Sequence, residues 1–140
     1  MADSTRHLQL DRLATILMTT SMKTVVVSSG PIDTDEYSAA EYPLIEIVPS
    51  SEIPMPYLTG RHALWRNRVV LTCYYLGVNT DWEQGEALFK EVKDALGGDP
   101  TLNETCASVS VSDIRNSGEF PMWKVIATIE MKYEKRISDA

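Results

Sequence analysis

The chain has 140 residues, 44% of them hydrophobic and 24% charged, and its 20 acidic against 13 basic residues give a formal net charge of −7. This is one domain's length, enough to bury roughly 68–70% of the unfolded surface, and the ordinary composition excludes a disordered or fibrous chain. Scattered basic residues in an acidic chain exclude the electrostatic footprint of a nucleic-acid binder, and no stretch approaches the roughly 18 apolar residues of a membrane span.

The first predicted element is a helix from Ser4 to about Met22, with Leu10, Leu13, Ile16 and Leu17 at helical spacing and Asp3 or Ser4 as its N-cap. A short β-branched strand follows over Lys23 to Ser28, closed by Ser29-Gly30-Pro31. After a loop carrying Asp33, Asp35 and Glu36, a second strand runs from Tyr42 to Val48. Pro49, Pro54 and Pro56 predict a long loop out to Gly60, because proline cannot donate to a central ladder. This loop and the one from Ser29 to Glu41 are the first places expected to meet a partner.

The third strand, about Leu64 to Leu76, places Trp65, Val69, Leu71, Cys73 and Tyr75 on one face. Its other face mixes Arg66, Arg68 and Thr72 with Val70, Tyr74 and Leu76, a half-apolar surface that calls for cover by another element or a second subunit. A second helix starts at Thr80 or Asp81, with Glu83 completing a capping box, and stops at Gly97-Gly98. Its stripe is Trp82, Gly85, Phe89, Val92 and Leu96, widened by Leu88 and Ala95, with Glu86 and Lys90 as an i,i+4 pair outside it. Strand four alternates Ala107, Val109 and Val111 against Ser108, Ser110 and Ser112, and Asn116-Ser117-Gly118 reads as the turn after it. Strand five sets Trp123, Val125, Ala127, Ile129, Met131 and Tyr133 on one face against Lys124, Thr128, Glu130 and Lys132.

The order α-β-β-β-α-β-β predicts a single α+β domain over residues 1–140, a mainly antiparallel sheet with both helices packed on one face. The N-terminus lacks the charged-then-apolar pattern of a signal peptide, so the expected compartment is the cytoplasm.

Candidate chemistry is sparse. Cys73 and Cys106 fall in strand-like segments without a C-x-x-C spacing and read as buried apolar residues. His7 and His62 have no partner at metal-ligand spacing and read as surface histidines. Asp33, Asp35 and Glu36 lack the glycine and terminal glutamate of a calcium loop and read as a solvated acidic loop. Glu41, Glu46 and Glu52 form no recognisable carboxylate pair. No catalytic, cofactor or metal residue is therefore assigned. The one basic-aromatic cluster is Arg61, Trp65, Arg66 and Arg68, either a solvated strand face or an ionic interface to an acidic neighbour. With the nearby apolar Met55, Tyr57 and Leu58, it is the candidate subunit or partner interface.

This layout resembles that of the tail-terminator or tail-completion proteins of long-tailed bacteriophages, small acidic α+β proteins with an N-terminal helix. The resemblance is carried by the opening helix through Leu13 and Leu17, the strand Tyr42 to Ile47, the helix Trp82 to Leu96 and the closing strand Trp123 to Tyr133. It implies a structural virion protein with no catalytic residues. Such proteins form a homo-oligomeric ring, commonly a hexamer, that caps the tail tube, ends its growth and receives the head. Its implied partners are copies of itself, the tail tube protein and a neck or head-completion protein, with DNA passing through the channel and no membrane. The implied location is the virion tail or neck, assembled in the host cytoplasm. A head-completion or neck connector shares the same size and composition. A different class, a small dimeric ligand-binding or enzymatic α+β domain with its site in a cleft between sheet and loops, lacks the catalytic constellation it would need.

Overall fold

The computed structural model describes residues 5–28, 32–33, 36–59, 62–77, 82–103, 106–119 and 121–136. The first helix, α1 (Thr5–Leu17), turns Leu13, Ile16 and Leu17 inward and leaves His7, Leu8, Asp11 and Thr15 outside, the 3.6-residue period of a helix lying on a core. Its predicted caps, Asp3 and Ser4, are outside the described residues. The second helix, α2 (Trp82–Gly97), buries Gly85, Leu88, Phe89, Val92 and Leu96 of the predicted stripe and half-buries Ala95, while the side chain of Trp82 is outside what is described. Thr80 and Asp81, its predicted caps, are likewise outside the described residues. Lys90 closes on Asp94 at 3.2 Å, one turn toward the C-terminus, and not on the predicted Glu86, one turn toward the N-terminus.

Five strands form one sheet: β1 (Thr24–Val27), β2 (Leu44–Thr59), β3 (His62–Leu76), β4 (Ser108–Glu119) and β5 (Met122–Arg136), in the order β1-β2-β3-β5-β4. β1 runs parallel to β2, and the other pairings are antiparallel. The expected α+β class and element order therefore hold. Alternate residues of β3 and β5 pack under both helices: Val69, Leu71, Cys73 and Tyr75 beside Val125, Ala127, Ile129 and Met131 are all buried, with Ile45 and Ile47 of β2 joining them. Gly85 lets α2 approach this face closely, since a Cβ there would stand 2.6 Å from the Tyr75 hydroxyl oxygen. A smaller apolar cluster of Tyr42, Leu44 and Tyr74 sits on the opposite face, with Val26, Ile32, Tyr37, Leu76 and Met122 packed against it. One end of the half-apolar face of β3 is thus covered from within the chain.

Three details depart from the sequence reading. β2 continues through the predicted proline loop to Thr59 and forms a hairpin with β3. Among the described residues β1 pairs only with Leu44 to Ile47, so the outer side of β2 has no described partner from Val48 on, where a missing N–H costs no described ladder bond. Register shifts at Pro49/Ser51 and Pro54/Leu58 absorb the irregularity. His62 accordingly opens β3, two residues before the predicted start at Leu64.

β4 also runs through its predicted turn, Asn116-Ser117-Gly118, to Glu119. A bulge inserts one extra residue between Ser112 and Arg115, with Asp113 at φ 54°, and pairing with β5 then resumes. The bulge switches the inward parity of β4 from odd to even residues.

Candidate subunit interface

Of the seven residues expected at an interface, the three whose side chains are described divide between the two faces of the sheet. Arg66 and Arg68 lie on the face away from the helices, where both guanidinium groups meet Glu130 of β5, at 4.0 Å and 3.0 Å. The register explains this, because Arg68 is directly opposite Glu130 and Arg66 is one pair along the same face. Trp65 points the other way, half-buried against the helix-side core. The basic-aromatic cluster of the sequence is therefore split by the two-residue period of the strand. Met55, Tyr57 and Leu58 belong to the far part of β2, near the tip of its hairpin with β3, and their side chains are outside what is described. Arg61 is outside the described residues altogether.

At about 3.3 Å per residue the 15 residues of β3 span about 50 Å, whereas the 13 residues of α1 span about 20 Å. Arg6 in the first turn of α1 donates to Asn67 of β3 at 3.1 Å, and Asn67 donates to Gln9 at 2.8 Å. Gln9 and Asn67 are fully buried, so these amides pin the start of α1 to β3 at that level. Beyond it the hairpin runs on past the helix layer to Thr59 and His62, which pair with each other, and His62 pairs with Arg136 at the end of β5.

The outer flanks of the sheet were not anticipated. β1 at one edge and β4 at the other pair with a described strand on one side only. Val27, the last residue of β1, and Ile114, in the β4 bulge, are 51% and 46% exposed. Ile114 lies on a groove of 670 Å³ between α2 and β4, floored by Phe89 and Val125 and rimmed by Glu86, Lys90, Lys93, Asp94 and Asn116. The signal for this groove was present in Ser112-Asp113-Ile114, where the valine-serine alternation breaks phase.

Glu46, 2% exposed on the face away from the helices, accepts a hydrogen bond from the Ser28 hydroxyl at 2.8 Å, with the Tyr74 hydroxyl 3.5 Å away. Burial, followed by the Glu46 charge, pushes the Tyr74 hydroxyl up to about 12. Cys73 and Cys106 are buried free thiols, as expected, and burial raises them to about 12 and about 11. His7 is exposed beside Asp11 at 3.3 Å, Asp33 and Glu36 are exposed, and among the described residues no group of acidic, histidine or cysteine side chains could hold a metal ion. No helix is long and apolar enough to cross a membrane among those residues.

No family model matches the sequence, and no curated protein matches it. Among solved structures, a chain of the "Virion of native gene transfer agent (GTA) particle" aligns with a TM-score of 0.41 and 11% identity, over 93% of this chain and 92% of that one.

Proposed function

We propose that this chain is a structural virion protein that assembles into a homo-oligomeric ring, hexameric by resemblance to tail terminators, which caps a phage tail tube and ends its growth. Its exposed ring surface then receives the head through a neck or head-completion protein. In this reading the protein is not an enzyme and uses no cofactor; it assembles in the host cytoplasm and remains in the virion tail or neck.

The observation that carries the reading is the open sheet. Both edges lack a described partner strand, and the β2–β3 hairpin runs past the helices that cover the rest. Such edges are contact surfaces, since a strand with unpaired N–H and C=O groups is a template for another chain. The net charge of −7 suits a ring whose channel passes DNA without holding it.

The test is the mass and shape of the purified protein by light scattering and negative-stain microscopy at low and high concentration, followed by mixing with tail tubes and with heads. Rings that seal tube ends are the expected result. Rings that bind heads alone would move the protein to the neck, and a compact monomer or dimer throughout would overturn the ring.

A further inference from the structure

Val27 and Ile114 are two of the four large hydrophobic residues exposed among the described residues, and they lie at opposite edges of the sheet. The register nevertheless puts them at one level. Val27 pairs with Ile47, Ile47 with Leu71 and Leu71 with Ala127. The β4 bulge falls opposite Ala127, because Ser112 pairs with Thr128 and Arg115 with Ile126. Both side chains also belong to the helix side of the sheet: Val27 shares its parity with the core-packed Val25, and Ile114 lines the groove beside Phe89.

Strand direction completes the match. β1 is parallel to β2, and three antiparallel pairings separate β2 from β4, so β1 and β4 run in opposite directions. A second copy displaced sideways across the sheet brings its β1 antiparallel against β4 of the first. At that level its residues 24–27 fall opposite residues 117–114. Its Val25 then meets Asn116 and its Val27 meets Ile114, with the helix faces of both copies on the same side. The helix layer is continuous as well, since α1 contacts β1 at one flank while α2 contacts β4 at the other.

We propose that the open edge of β1 in one copy adds to the open edge of β4 in the next, seating Val27 against Ile114 in the groove beside α2. This rests on the ring reading above and supplies its repeating contact. The contact joins two different surfaces, so an open row of copies always keeps one free β1 edge and one free β4 edge, and it propagates until a ring closes. The other open stretch is poorly suited to the role, because Pro49, Pro54 and Pro56 interrupt the edge of β2.

The test is a Val27→Cys/Ile114→Cys double variant of the full chain, treated with a short thiol-to-thiol cross-linker and read on a denaturing gel. The native cysteines are buried with raised thiols and stay silent. A covalent ladder ending at the ring mass, with no product from either single variant, is expected. Rings that form without a ladder would overturn this contact and leave the ring standing. Covalent dimers from one single variant would show a self-symmetric contact and overturn it too. Wild-type protein that stays monomeric at every concentration would overturn the ring reading itself, and this contact with it. As an independent arm, Val27→Asp should abolish the oligomer while keeping the melting temperature of the subunit; a Val27→Asp ring as stable as wild type would overturn the contact.

Discussion

Gly118 holds a backbone that β4 needs where it lies against β5. Its φ is +104°, and a Cβ there would stand 2.6 Å from the Met122 carbonyl oxygen and 3.0 Å from the Trp123 Cα. Both the left-handed backbone and the backbone contact oppose a side chain, so Gly118→Ala should cost about 1–3 kcal/mol, measured as a shift in denaturant midpoint. Opposite it in the register, Trp123 is 5% exposed within the helix-side core. Trp123→Ala should destabilise the fold by roughly 3–5 kcal/mol, through lost burial and the cavity left behind. An unaltered melting temperature for Trp123→Ala would mean that β5 turns its other face inward.

Between elements, Asp99 ties the end of α2 to α1 and to the turn that leads toward β4. Its carboxylate accepts a hydrogen bond from the Asn103 backbone N–H at 2.9 Å and from Arg12 Nε at 2.7 Å. Those two contacts, the Asn103 bond foremost, hold its carboxyl below the ordinary aspartate value of 3.8. A carboxyl depressed in the folded state stabilises fully above its unfolded value, and the contribution disappears as the pH falls through the folded value. Asp99→Asn should therefore show a flatter loss of melting temperature below pH 3.8 than the wild type. At this scale the sequence was legible wherever a period ran unbroken: β5 buries every odd residue from Trp123 to Tyr133, and α2 buries its stripe from Gly85 to Leu96 apart from the half-buried Ala95. It misled where tertiary position relaxed a local rule. The prolines of β2 are tolerated because β1 is too short to need their N–H groups, and the bulge at Asp113 hid the second half of β4 by reversing its parity. The interface was the least legible part, since Val27 and Ile114 become related only when the register of all five strands is known.

For the whole molecule, the response of assembly to salt separates the two contacts that could build a ring. Every copy carries a net charge of −7, so bringing copies together costs repulsion that falls as the Debye length shrinks from about 10 Å at 0.1 M to about 3 Å at 1 M salt. An apolar edge-to-edge contact gains from that screening, whereas an ionic contact through Arg66 and Arg68 loses by it. Glu130 of the same chain already meets both arginines, which leaves less of their charge for a neighbour. The oligomer fraction is therefore expected to rise with salt, as read by light scattering across that range. Arg68→Glu sharpens the distinction. It removes an ion pair worth up to about 1 kcal/mol, sets a second carboxylate directly opposite Glu130, which destabilises the subunit further, and makes every copy more acidic. If Arg68 acts only through net charge, the variant assembles poorly at low salt and recovers at high salt. If Arg68 grips the neighbouring copy directly, salt does not restore assembly, and the ring contact must include the outer face of β3.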